Sequence, residues 1–167
     1  MKEKTSDGTY FRKATQAINK ILTNPTKTQS DDYLTIIFFW IDSFNRFKTE
    51  TVYDNVRLSI GISPEKLNAF GAPPSYAGTG LEKGLAFASN FLEGKQGEKI
   101  IKLVTDSTAN SQKAREENVF KFYDRGIRLD CIIISNAKDG AQTLGSGTLG
   151  QVFHETDVDR ISNAILS

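Results

Sequence analysis

Two short stretches of this 167-residue chain carry residue types that hold a hard cation or an acidic group. Thr105-Asp106-Ser107 closes an apolar run that starts at Lys99 and sets a carboxylate between two hydroxyls. Gly78-Thr79-Gly80 stands directly ahead of a helical pattern, so it offers a hydroxyl and the free N–H groups of a helix start. Oxygen donors of this kind, brought to one edge, suit Mg²⁺, which keeps several of its waters. A plain structural reading stands beside that one. Asp106 then caps a turn and Thr79 caps its helix, both common uses of these residues.

Other chemistries find less support. A single cysteine, Cys131, excludes an intrachain disulfide and a multi-cysteine zinc site, and its apolar neighbours place it in a core strand. The single histidine, His154, lies beside Phe153 and Glu155 on a short, half-exposed strand, with no Ser or Cys placed to use it. Gly145-Ser-Gly-Thr-Leu-Gly150 spells a dinucleotide fingerprint, but a strand follows it where a helix is required. Gly78-Thr79-Gly80 with Gly84 is a looser variant, and it follows Pro-Pro-Ser where a strand is required. Neither a phosphate-binding G-x-x-x-x-G-K-[ST] loop nor a G-x-S-x-G elbow occurs. Lys plus Arg (21) balance Asp plus Glu (20) to a net charge of +1, so charge makes no case for nucleic acid or a membrane surface. The basic first segment (Lys2, Lys4, Arg12, Lys13, Lys20, Lys27) reads as a solvated helix face able to steer an acidic partner. The longest apolar run, within Tyr33–Ile41, is far below the ~20 residues of a membrane span. Met1-Lys2-Glu3-Lys4 leads into polar sequence, and a cytoplasmic location is the expectation.

The elements that must position these residues alternate along the chain. Tyr10, Phe11, Ala14, Ala17, Ile18, Ile21 and Leu22 share one face of a first helix, with Asp7 or Thr9 as its cap and Pro25 beyond its end. Tyr33–Ile41 is apolar at both parities, as a strand covered on both faces should be, and Phe38-Phe39-Trp40 belongs to the core. Val56 to Ile62 alternates apolar and polar and predicts an edge strand, with Asp42 to Asn55 as a long connection. Ser63-Pro64-Glu65 predicts a short helix to about Phe70, with Ser63 as cap and Pro64 as first helical residue. Gly71 to Gly80 is a loop. A helix from Leu81 to about Leu92 follows, then a strand from Lys99 to Thr105 and a helix ending near Asp124 before Gly126. Ile127 to Ile134 and Gln151 to Glu155 predict two further strands, and Asp157 or Asp159 caps a last helix.

Strands alternating with helices predict one α/β domain over residues 1–167. The expected architecture has three layers around a doubly wound, mainly parallel sheet with one antiparallel edge strand. One feature departs from that pattern. The first helix should cross over between two parallel strands, yet only nine residues precede it, so a first strand is missing from the expected order. Ligands in such sheets sit beyond the carboxyl ends of the strands, where Thr79 and Asp106 are expected.

Tyr76-Ala-Gly-Thr-Gly-Leu-Glu-Lys-Gly-Leu-Ala-Phe-Ala88 resembles the second metal-site motif of von Willebrand factor type A (vWA) domains. Lys102-Leu-Val-Thr-Asp-Ser107 is similar to that family's strand ending in Thr-Asp-Gly. The order and spacing of the later elements agree as well. The resemblance implies a Rossmann-like α/β domain that binds proteins through a metal-ion-dependent adhesion site. Thr79 and Asp106 would be ligands to Mg²⁺, Mn²⁺ or Ca²⁺, and an acidic residue of the partner would complete the shell. The family's first motif, Asp-x-Ser-x-Ser after the first strand, has no match here. Asp42-Ser-Phe-Asn45 fails on spacing, and one carboxylate with one hydroxyl holds Mg²⁺ poorly.

The expected function is therefore a non-catalytic protein-interaction module acting through the loops at the carboxyl edge. Ser75, Tyr76, Gly78, Thr79, Gly80, Asp106 and Ser107 are the expected partner contacts. Two alternatives stand beside it. One is a structural subunit whose sheet is completed by another chain or by self-association. The other is a Mg²⁺-dependent hydrolase using Asp106.

Overall fold

The computed structural model describes residues 4–5, 8–24, 31–71, 80–105, 121–134 and 150–167. Two very short strands, β1 (Lys4–Thr5) and β2 (Gly8–Thr9), pair antiparallel and lead into helix α1 (Tyr10–Thr23). The three- and four-residue spacing places Tyr10, Ala14, Ala17, Ile21 and Leu22 on one buried face. Lys13 is buried too, because its ammonium donates to the Thr156 carbonyl at 2.8 Å, so that part of the basic segment is not a solvated face. Asp7 and Pro25 lie outside the described residues.

Strand β3 (Tyr33–Ile41) turns through Asp42 to Arg46 into β4 (Phe47–Arg57), and the two pair antiparallel from Tyr33↔Arg57 to Ile41↔Phe47. The expected edge strand over Val56 to Ile62 is thereby corrected. The strand starts at Phe47, and Leu58–Ile60 form a 3₁₀ turn in which Leu58 is buried and Ile60 exposed. Register shifts around Leu34, Ile36 and Ile37, with left-handed Asn55 (φ 52°), break the period of two along β4. The alternation read from 56 to 62 comes partly from a helical turn. The short helix α2 (Glu65–Ala69) has Pro64 in the cap position, one residue from the expected assignment.

Helix α3 (Leu81–Phe91) leads through Gly94, at φ 75°, to β5 (Lys99–Thr105). Residues 121–124 are helical, and β6 (Ile127–Ile133), β7 (Val152–His154) and helix α4 (Val158–Leu166) complete the order. Asp157 is the cap of α4, its Oδ1 accepting from the Asp159 and Arg160 N–H groups. Strands β5, β6 and β7 form one parallel ladder, with Leu103 opposite Cys131 and Cys131 opposite Val152. The antiparallel β3–β4 pair is a separate ladder. Among the described residues, no strand pairs with the remaining edge of β3 or of β5.

Helices cover both faces of the parallel ladder. Leu81 and Leu85 of α3 pack with Leu103, Leu129, Cys131 and Ile133, and Phe39 of β3 joins the same cluster. On the opposite face, Tyr10, Ala14 and Ala17 of α1 and Ile161 and Ala164 of α4 pack with Ile132 and Ile134. Further along α1, Ile21 and Leu22 pack with Ile36, Tyr53, Leu58 and Leu67. The Phe-Phe-Trp run is divided between the faces. Phe39 meets α3, whereas Phe38 stacks on Phe70 (centroids 4.3 Å apart) beside Phe11 and Trp40.

One charged group is built into this core. Asp130, fully buried on β6, accepts from Lys102 Nζ and from Arg128 Nη2 at 3.0 Å, and its other oxygen takes the Gln151 N–H at 2.8 Å. Lys102 and Arg128 reach on to the Ala164 and Ser167 carbonyls at the end of α4. Burial alone would raise the Asp130 pKa. Hydrogen bonds from Lys102 and Gln151 and the two cationic charges outweigh it and hold the carboxyl below its ordinary value.

Two expectations follow. Asp130→Asn should lower stability at pH 7 by about 2 kcal/mol, because two partly buried cations, Lys102 and Arg128, lose the buried carboxylate they share. A depressed carboxylate contributes fully above its unfolded pKa of about 4 and loses that contribution as pH falls through the lower folded value. The gap between the two proteins in urea melts should therefore narrow below about pH 4. A gap of constant size would assign the effect to packing. In addition, a Cβ at Gly150 would sit 1.7 Å from the Leu129 carbonyl oxygen, whereas at Gly71 it would meet nothing. Gly150→Ala should cost at least about 2 kcal/mol and Gly71→Ala less than about 0.5, measured by the same melts.

Candidate functional site

The carboxyl edge is assembled from the ends of several elements. Buried Thr105 ends β5, and its carbonyl accepts from Ile134 N–H at 2.9 Å, tying it to the end of β6. Gly80 opens α3 in the left-handed conformation (φ 65°), and its carbonyl takes the Lys83 and Gly84 N–H groups. That position requires glycine for a second reason. A Cβ there would lie 2.7 Å from Ile41 Cδ1 at the end of β3. Phe11 of the first turn of α1 packs on Phe38 in the carboxyl half of β3, and Tyr10 lies in the cluster with Val104 and Ile134. The starts of α1 and α3 and the ends of β3, β5 and β6 thus meet at one edge.

The turn after β3 belongs to this edge and was not anticipated as part of the site. Asp42 is buried, and its Oδ1 accepts from the Phe44 and Arg46 N–H groups while Oδ2 accepts from Arg46 Nε, each at 2.9 Å. Burial would raise this carboxyl, and the bonds from Arg46 and Phe44 together with the Arg46 charge lower it. Asn45 takes the left-handed turn (φ 57°). The result is a fixed loop that presents Phe44, 76% exposed, with the Arg46 guanidinium 5.0 Å from its ring centroid. The signal available in the sequence is Asp42 and Asn45 in a short polar turn directly after the apolar run Tyr33–Ile41.

Of the expected site residues, Gly80 is placed at this edge. Ser75, Tyr76, Gly78, Thr79, Asp106 and Ser107 lie outside the described residues. The described part of the edge does not fit a cation. Every contact of the Asp42 carboxylate is used within its own turn, Gly80 has no side chain, and no group of three His, Cys, Asp or Glu among the described residues could hold a metal.

The other candidates resolve into structure. Burial, with the neighbouring Asp130 charge, pushes the Cys131 thiol up to about 12, which leaves it unreactive at neutral pH. His154 is exposed on β7. Gly150 leads into β7, where its missing side chain admits the Leu129 carbonyl, so the last glycine of the G-x-G-x-x-G run serves strand packing. A shallow depression lined by Ser89, Leu92, Lys99 and Arg125 lies at the opposite end of the strands.

The fold has clear counterparts among solved structures. A von Willebrand factor type A protein from Catenulispora acidiphila superposes with a TM-score of 0.66 at 14% identity, over 93% of this chain and 36% of that one. The fold is vWA-like. An aerotolerance-related membrane protein from Bacteroides fragilis (TM-score 0.65) and the conserved hypothetical protein BatB from Bacteroides thetaiotaomicron (0.64) agree, each at 14% identity over 93% of this chain. They are covered over 85% and 84% of their own lengths, whereas the chain spans about a third of the Catenulispora protein. No family model and no curated protein sequence matches the chain. Among the described residues, no helix is long and apolar enough to cross a membrane.

The vWA-like edge yields one expectation of its own. Asp42→Ala should speed hydrogen exchange at the Phe44 and Arg46 amides at least tenfold, while the β5–β6 amides keep their protection. Unchanged exchange at both positions would show that the turn is held without the carboxylate.

Proposed function

We propose that the chain is a non-catalytic protein-interaction module whose partner docks on the carboxyl edge. The contacts lie in the loops carrying Ser75, Tyr76, Gly78, Thr79 and Gly80, and Asp106 and Ser107. The observation that carries this reading is the convergence there of two helix starts, three strand ends and a fixed turn presenting an exposed aromatic ring. Helix N-termini favour negative charge, so an acidic residue of the partner suits the start of α3 beside Thr79. An exposed Phe held against an Arg supplies the kind of residue pair that anchors protein interfaces. The vWA-like fold supports the same class of function. Asp106 and Thr79 would offer a carboxylate and a hydroxyl if Mg²⁺, Mn²⁺ or Ca²⁺ takes part. We read the two ladders as halves of one doubly wound, mainly parallel sheet between helical layers, with this edge as its ligand-binding side.

Photo-crosslinking residues placed at 76 and 107, and at Lys95 on the opposite end as a control, test the reading in cells. Adducts are expected from 76 and 107 only, and Asp106→Ala should reduce their yield about tenfold. Equal adducts from position 95 would overturn the edge as the docking surface. Yields unchanged by excess chelator would remove the cation from the reading and leave the edge in place.

A further inference from the structure

We propose that two copies of this chain pair through the outer edge of β4, antiparallel and related by a two-fold axis at Thr49. Their β3–β4 hairpins then join into one four-stranded ladder. The pairing involves the hairpin alone and not the docking edge.

The hairpin fixes which backbone groups face outward. The Asp42 N–H bonds to the Arg46 carbonyl at 2.9 Å, and the register runs unbroken from Ile41↔Phe47 to Ile37↔Thr51. Residues opposite each other in an antiparallel pair alternate between exchanging hydrogen bonds and turning those groups away. From Asp42↔Arg46 onward, Lys48 and Glu50 therefore bond to Trp40 and Phe38 of β3. The N–H and carbonyl groups of Phe47, Thr49 and Thr51 point the other way. Among the described residues β4 pairs with β3 alone, so three residues in line offer their backbone groups as a template for one more strand.

Folded proteins guard such edges with bulges or with a lysine. Bulges guard the far part of β4. The register shifts opposite Leu34, Ile36 and Ile37 fall between Thr51 and Val56, beside left-handed Asn55. They confine any added pairing to the regular run Phe47–Thr51. Within that run Lys48 is the guard expected of an edge, but Glu50 lies two residues on, on the same face of the strand. Among the described residues, neither Lys48 nor Glu50 forms an ion pair. Glu50 is exposed and Lys48 half-buried.

Charge selects both the register and the occupant. Residues opposite each other in a ladder share a face, so the axis relating two identical antiparallel strands passes through a residue. An axis at Lys48 or Glu50 sets a charge against its own copy, and an axis at Phe47 sets Lys48 against Arg46. An axis at Thr51 draws the bulged residues into the ladder. An axis at Thr49 does neither. It sets Lys48 opposite Glu50 of the second copy, and Glu50 opposite the second copy's Lys48, at positions that exchange no hydrogen bonds and so bring side chains closest. The same axis sets Thr49 opposite Thr49 and Phe47 opposite Thr51, all with backbone groups facing the second copy. Opposite charges, paired threonines and an aromatic beside a β-branched residue are the favourable cross-strand pairs. The run is thus complementary to itself, which is what a closed two-fold contact requires.

Sedimentation velocity on the 167-residue chain, from about 10 μM to about 1 mM, should show a monomer–dimer equilibrium, weak because the contact is small. Lys48→Glu and Glu50→Lys should each weaken the dimer at least about tenfold, since each replaces two attractive pairs by two repulsive ones. The double variant carries both pairs in swapped form and should regain the native dissociation constant within about threefold. Hydrogen exchange locates the contact. The Phe47, Thr49 and Thr51 amides should slow as concentration rises, whereas the Lys48 and Glu50 amides, already bonded to β3, should not change. A chain that stays monomeric to about 1 mM overturns the proposal and leaves the edge to a strand of another protein. A dimer indifferent to both single substitutions, one not restored in the double variant, or one formed without slowing those three amides overturns it as well.

Discussion

Two helices hold together two ladders that share no strand pairing among the described residues, and the rest of the fold depends on that clamp. In most sheets the register of neighbouring strands fixes their relation. Among the described residues the relation of β3–β4 to β5–β6–β7 is fixed by packing: Ile21, Leu22, Ala14 and Ala17 of α1 below, Leu81, Leu85 and Gly84 of α3 above. Packing of this kind is strong but non-directional. It sets which faces meet, and leaves register to directional contacts elsewhere. Alanine along α1 and glycine in α3 are what permit each helix to reach both ladders at once.

The parallel ladder contains the directional counterpart of this clamp. Asp130 joins β5, β6, the approach to β7 and the end of α4 through Lys102, Arg128 and the Gln151 N–H. A hydrophobic residue would fill the same space without needing two cations. The carboxylate instead specifies one register, because a slip of one residue would carry Asp130 to the α3 face among Leu103, Leu129 and Ile133. Gly150 enforces the same register from the other side, since only a bare backbone passes the Leu129 carbonyl. The half of the molecule that carries Thr105 is thus fixed by charge and sterics, and the half that carries the Asp42 turn by apolar contact.

Much of this was legible in the sequence where one period dominates. The spans Tyr33–Ile41 and Lys99–Thr105 coincide with the observed strands because apolar runs of that length have few other uses. The first helix follows from an unbroken 3.6-residue period and the last from Asp157 or Asp159 as its cap, of which Asp157 takes the position. Strand β4 is hidden in the sequence because it is wet on one side and bulged near Asn55, which erases the alternation on which a strand assignment rests. Lys13 reads as solvent-facing because nothing local shows a carbonyl 143 residues away. At the site, Gly80 was legible from its place ahead of a helix. The Phe44 turn was not, since its position beside Gly80 is a property of β3 packing against α3.

The carboxyl edge joins the two halves of the molecule at closely constrained points. The bare backbone of Gly80 lies against Ile41, and the Thr105 carbonyl is tied to the Ile134 N–H, so the start of α3 and the ends of β3, β5 and β6 keep fixed relative positions. The Asp42 turn adds an exposed aromatic ring to that frame, held by three hydrogen bonds to one carboxylate. A rigidly presented ring of this kind is what anchors protein interfaces. A hard cation asks for something different, several convergent oxygen donors. Among the described residues the one carboxylate of this edge spends its acceptors on its own turn, because the same bonds that fix Phe44 in place consume them.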